Sequence, residues 1–169
     1  EKLHPMVGLP MPRYDLIKKN RYVNCSFVQT SRGCHQGCTF CCEPLMNGLK
    51  FRYRPIDEVM REVDACDSRM ISINDSDFFG TPERPKEVMR ALKGRGVHWQ
   101  AGVTSKLAQD DRMLELAAAS GCTLMSIGFE SITRSTLTSV HKHVNRPETF
   151  VSLVEKVHSY GIMVFGLFM

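Results

Sequence analysis

Ser31-Arg32-Gly33-Cys34-His35-Gln36-Gly37-Cys38-Thr39-Phe40-Cys41 follows directly on the strand-like run Tyr22 to Thr30. A strand that empties into a cysteine loop sets the start of the fold and the place of its chemistry. The cysteines stand at spacing Cys-x3-Cys-x2-Cys, with an aromatic residue just before the third. Three thiolates on one loop can each hold one iron of a cubane, whereas a complete [4Fe–4S] site takes four cysteines. Three ligands leave one iron open to a substrate or cofactor. Gly33 and Gly37 let the backbone wrap tightly around a bulky inorganic core. A zinc site is the alternative, and it asks for a fourth ligand. His35 lies inside the loop, which suits a surface or supporting role. Cys42 breaks the spacing and reads as a neighbour of the site.

Outward from the loop, the chain alternates between two periods. A helix is predicted over Asp57 to Cys66, with Val59, Met60, Val63 and Cys66 on one face. Met70 to Ile73 reads as a strand ending in Asn74-Asp75-Ser76-Asp77. A second helix is expected from near Pro85 to Gly94, its apolar face Val88, Met89 and Leu92. Val97 to Val103 is the next strand, ending in Thr104-Ser105-Lys106. Asp110 or Asp111 caps a third helix that closes at Gly121. Thr123 to Phe129 is a strand ending in Glu130-Ser131. A helical turn follows over Arg134 to Val140, then a helix from Pro147 to Gly161. Ile162 to Met169 is a fifth strand, apolar enough for a buried one. Residues 1 to 21 hold three prolines and read as an extended lead-in or interdomain linker, with the core over residues 22 to 169.

Strand–helix alternation of this kind predicts a parallel sheet joined by crossover helices. Two α/β arrangements fit: a doubly wound open sheet and a partial (β/α) barrel. Function in parallel sheets collects at the carboxyl ends of the strands. Here four successive strand ends are polar, which suits one rim around one central site. No glycine-rich phosphate fingerprint follows the first strand, which disfavours a dinucleotide fold.

Composition bounds the classes. Of 169 residues, 43% are hydrophobic and 24% charged, as in ordinary globular proteins. No apolar run approaches the ~20 residues of a membrane span. The net charge of +4 is spread thinly, which argues against a nucleic-acid groove. Seven cysteines, an odd number with a tight cluster, argue against a disulfide framework and for a reducing cytoplasm. Cys25, Cys66 and Cys122 read as small buried hydrophobes. The chain begins with Glu1 and ends in an apolar run, which reads as an internal piece of a longer protein.

Cys34, Cys38, Phe40 and Cys41 match, position for position, the signature Cys-x3-Cys-x-aromatic-Cys of the radical S-adenosylmethionine (SAM) enzymes, which the chain resembles. The resemblance implies a partial (β/α)6 barrel, of which this chain holds the first five strands. It implies a [4Fe–4S] cluster whose open iron chelates SAM, and one-electron cleavage of SAM to a 5′-deoxyadenosyl radical that abstracts hydrogen from a small-molecule substrate. An electron donor such as flavodoxin or ferredoxin is implied with it. Gln29 to Cys34, Asp75 to Phe78 and Gly128 to Ser131 resemble the class with an N-terminal cobalamin-binding domain, which includes methyltransferases. Pro12 to Leu16 resembles the segment that joins the domains there. Cobalamin would enter through a domain outside this chain.

By the same resemblance, Phe40 packs beside the adenine. Asp75, and after it Asp77, receives the SAM ammonium, although the usual Gly-Gly-Glu wording is absent. Glu130 and Ser131 meet the ribose or methionyl group, with Thr104 and Ser105 weaker candidates of that type. A salt bridge from Glu130 to Arg32 or Arg54 is the structural alternative. Lys142 is a candidate for the SAM carboxylate, or part of a solvated turn. Gly166 to Met169 resembles the start of an adenine-contact segment. The rival to an enzyme is a non-catalytic iron–sulfur or zinc module for electron transfer or structure.

Overall fold

The computed structural model describes residues 3–22, 26–106 and 109–169. Five parallel strands form one sheet: β1 (Phe27–Val28), β4 (Met70–Ile73), β5 (His98–Val103), β6 (Cys122–Glu130) and β7 (Met163–Phe168), side by side in that order. Six helices occur among the described residues: α1 (Glu43–Asn47), α2 (Ile56–Ala65), α3 (Glu83–Leu92), α4 (Asp111–Ala119), α5 (Arg134–Ser139) and α6 (Phe150–Ser159). A second, two-stranded antiparallel sheet pairs β2 (Ser31–Arg32) with β3 (Arg52–Tyr53).

Alternation along the strands decides which face is packed. Ile71 and Ile73, then Trp99, Ala101 and Val103, then Met125, Ile127 and Phe129 point to one side. There they meet Val59 and Val63 of α2, Val88, Met89 and Leu92 of α3, Met113 and Leu114 of α4, and Leu153 and Val157 of α6 in one continuous core. Each such fully buried side chain contributes about 1.5–3 kcal/mol of hydrophobic stabilisation. Trp99 is wholly buried and still satisfies its indole N–H, which donates to the Ser120 carbonyl at 3.2 Å. The other side chains, Ser72, Gln100, Leu124, Ser126 and Phe165 among them, line a hollow on the opposite face. Strands in simple sequence order with helices on a single face make a partial barrel; a doubly wound sheet reverses its order and carries helices on both faces.

Several expectations shift. Among the described residues the first strand covers Phe27–Val28; residues 23–25, Cys25 included, lie outside them. The cysteine loop, expected to run on through Gly48 to about Arg54, contains α1 and the β2–β3 pair, because Ser31 and Arg32 find backbone partners in Tyr53 and Arg52. α3 begins at Glu83, before Pro85, since a proline in the first turn forfeits no intrahelical hydrogen bond. Asp110 caps α4, its carboxylate accepting from the N–H groups of Arg112 and Met113. The lead-in turns twice, at Tyr14–Leu16 and Lys19–Arg21, and lies against the core. Met6 is buried there, and the Gly8 N–H donates to Glu58 of α2 at 2.9 Å. β7 is the sheet edge and is mostly exposed, not buried: Met163, Phe165, Leu167 and Phe168 all face solvent.

Candidate functional site

The carboxyl ends of β4, β5 and β6, with Leu167 of β7, meet the cysteine loop around a cavity of about 210 Å³. Eight of the eleven residues singled out from sequence line it: Cys34, Cys38, Phe40, Cys41, Asp77, Thr104, Glu130 and Lys142. Asp75, Ser105 and Ser131 do not.

Backbone contacts hold the loop over the cavity. Gly33 sits at φ +98°, and a Cβ there would lie 2.3 Å from the Lys50 carbonyl oxygen. Only glycine tolerates both the dihedral and the approach. The Cys34 N–H donates to the Gly48 carbonyl at 3.3 Å, and the Thr39 N–H to the Val140 carbonyl at 3.1 Å. The second bond ties the loop to the segment after α5. Burial, more than any other influence, pushes the Cys34 thiol up to about 11 and raises that of Cys38, with Lys142 opposing the rise at Cys38. Binding a metal through these thiols would displace their protons. Among the described residues no three His, Cys, Asp or Glu side chains converge on a single-ion site. A cubane puts each thiolate on a different iron and does not ask them to meet at one point.

The two aspartates after β4 part company. Asp75 accepts from the Thr30 N–H at 2.7 Å and hydroxyl at 2.5 Å, and from the Ser31 N–H at 3.0 Å and hydroxyl at 2.8 Å. Both of its oxygens are engaged. It anchors the start of the cysteine loop to β4 and is not among the residues that line the cavity, where a ligand contact was expected of it. Burial raises its pKa while these four bonds pull the other way. Asp77 turns toward β5 instead. Its Oδ1 accepts from the Thr104 N–H at 3.1 Å, and its buried Oδ2 has no partner among the described residues. Desolvation, the leading cause, pushes Asp77 up to about 6.

Glu130 closes β6 at φ +63°, a left-handed conformation uncommon outside glycine. The sheet register shifts there, with Gly128 opposite Leu167 and Glu130 opposite Phe168. The Glu130 carboxylate accepts from Lys142 Nζ at 3.1 Å, with both side chains nearly buried. This corrects the expected pairing with Arg32 or Arg54: Arg54 pairs with buried Glu62, and Arg32 Nε donates to Gln29 at 2.8 Å. It also corrects the solvated turn expected at Lys142, which lines the cavity. A Cβ at Gly128 would lie 2.4 Å from Glu130 Oε1, so the pair needs glycine beneath it. Ser131 points away, its hydroxyl accepting from the Thr133 N–H at 3.2 Å at the start of α5. Asn145, which nothing in the local sequence marks, donates its amide to the carbonyls of Gly128 and Phe129, both at 2.8 Å. His35 is exposed, with its ring edge-on to Phe51 at 5.6 Å. Cys66 is half-buried and Cys122 buried; burial pushes the Cys122 thiol up to about 12.

The Radical SAM superfamily profile matches residues 28–169. The chain belongs to the radical SAM superfamily. It is an enzyme core of that family, with the cysteine loop after its first strand. It is 32% identical to the bacteriochlorophyllide d C-12(1)-methyltransferase of Chlorobaculum tepidum, over 98% of this chain and 39% of that protein. It is 26% identical to the hopanoid C-2 methylase of Rhodopseudomonas palustris, over 94% of this chain and 32% of the relative. The radical SAM methyltransferase TsrM of Kitasatospora setae, solved with cobalamin and a [4Fe–4S] cluster bound, superposes with a TM-score of 0.73. That match has 21% identity and covers 82% of this chain and 28% of TsrM. The cobalamin-dependent SAM radical enzyme OxsB superposes at 0.72, with 19% identity over 85% of this chain and 23% of OxsB. These two likenesses concern the fold. The radical SAM chain thus spans less than two-fifths of the length of the relatives it matches. Among its described residues no helix is long and apolar enough to cross a membrane.

Proposed function

We propose that Cys34, Cys38 and Cys41 hold a [4Fe–4S] cluster, that SAM occupies the adjoining cavity, and that the complete protein is a cobalamin-dependent methyltransferase. One observation carries the reading: three thiols, the Asp77 carboxylate and the Glu130–Lys142 pair line one cavity. Held by Cys34, Cys38 and Cys41, a cluster would supply the single electron that cleaves SAM to methionine and a 5′-deoxyadenosyl radical.

The chain's own side chains bind and orient. The Asp77 carboxylate accepts from the SAM ammonium, while the Thr104 N–H holds its Oδ1 in place. Glu130 accepts from the ribose hydroxyls. Lys142, already held beside Glu130, meets the carboxylate of SAM. Phe40 forms an apolar wall next to the adenine. Methyl transfer follows from the relatives, which are named methyltransferases or methylases. Cobalamin would come from a part of the protein outside this chain. The electron would come from a carrier such as flavodoxin or ferredoxin, in a reducing cytoplasm where the thiols stay free.

Anaerobic reconstitution with iron and sulfide, followed by electron paramagnetic resonance of the reduced protein with and without SAM, tests this. A cubane signal that shifts on adding SAM is expected, and Cys38→Ala should lose both the signal and SAM cleavage. A cubane signal indifferent to SAM would point to a closed electron-transfer cluster. Zinc bound with no cluster would return the cysteines to a structural role.

A further inference from the structure

Glu43 opens α1, two residues after the last cysteine of the loop, and lines the cavity. It touches the loop at both ends. Its carboxylate Oε1 accepts from the Gly33 N–H at 3.1 Å, immediately before Cys34. Its own backbone N–H donates to Cys41 Sγ at 3.4 Å. The second carboxylate oxygen accepts from Asn47 Nδ2 at 3.1 Å, one helical turn on, which fixes the rotamer. The bond to Gly33 crosses the mouth of the loop, and Gly33 is the residue whose left-handed backbone permits the loop to close.

We propose that Glu43 is a positioning residue of the ligand loop, clasping Gly33 and so aligning Cys34, and keeping the reduction potential of the bound cluster low. The inference rests on the cysteines being cluster ligands. Reduction adds a negative charge, and a carboxylate on the same cavity makes that charge harder to place. Charge and hydrogen bonding near the cluster are among the influences that set such potentials.

Two variants separate the roles. Glu43→Gln keeps an acceptor for Gly33 but removes the charge, with Asn47 able to turn its amide to match; Glu43→Ala removes both. In the iron-free protein, the Gly33 amide should exchange with solvent about tenfold faster in Glu43→Ala than in the wild type. Glu43→Gln should restore the protection. After reconstitution, a redox titration followed by electron paramagnetic resonance should give Glu43→Gln a midpoint potential above that of the wild type. Unchanged Gly33 exchange in Glu43→Ala overturns the clasp, and an unchanged or lower potential in Glu43→Gln overturns the electrostatic role. A wild type that takes up no cluster overturns the cofactor reading and the redox role with it, while the exchange rates still decide the clasp.

Discussion

Asp77 shows how one residue couples the fold to the site. Its pKa is raised, by burial above all, from the usual aspartate value of 3.8 to about 6. The folded state therefore holds this proton more tightly than the unfolded chain does. Its stabilising influence is complete below the unfolded value and fades as pH rises through about 4 to 6, at a cost of about 3 kcal/mol. Asp77→Asn removes the titration. In urea unfolding of the metal-free protein, the variant should lose this fall in stability over that window; an unaltered pH slope would contradict the assignment. Asp75 is the counterexample two residues away. It is the same residue type and also buried, yet its oxygens are taken by Thr30 and Ser31. Sequence marks both residues as carboxylates after a strand. It does not tell them apart, because one turns toward β1 and the other toward β5, and that depends on which strand lies on each side.

At the scale of elements, the end of β6 is held from outside the strand. Asn145, after α5, donates to two consecutive carbonyls of β6 and accepts from the Ser105 hydroxyl at 2.9 Å at the end of β5. It bridges two strand ends where the ladder is broken by the left-handed Glu130. Asn145→Ala takes the side-chain donor from the Gly128 carbonyl, while the Phe129 carbonyl keeps the Ser131 N–H at 2.8 Å, and should destabilise the protein by about 1–3 kcal/mol in chemical denaturation. A loss below about 0.5 kcal/mol would mean that water or neighbours replace the amide. The helices and strands themselves were legible, since apolar spacing and terminal glycines set their period and ends. β2, β3 and α1 were not, because each is too short for a periodic signal and two of them exist only by pairing across twenty residues of loop.

On the scale of the whole molecule, β7 has among the described residues a partner on one side only, β6, and exposes Met163, Phe165, Leu167 and Phe168. Unpaired backbone beside exposed apolar side chains favours association. The 169-residue chain alone should therefore self-associate with rising concentration in sedimentation velocity; a single monomeric species throughout would contradict this. The strand was expected to be buried because it is apolar on both faces, but burial also requires a neighbour, which no local pattern specifies. By itself the sequence determined the three-cysteine loop, its place after the first strand, and the alternation that makes the sheet parallel. These depend on spacing between residues close in the chain. Only the tertiary structure decided that Asp77 and not Asp75 faces the cavity, and that Lys142 is drawn in to pair with Glu130. Only it showed that Glu62 neutralises Arg54 and that Asn145 braces β6. Each of those choices depends on which strand or segment packs alongside, and on the burial that leaves a polar group no water to turn to.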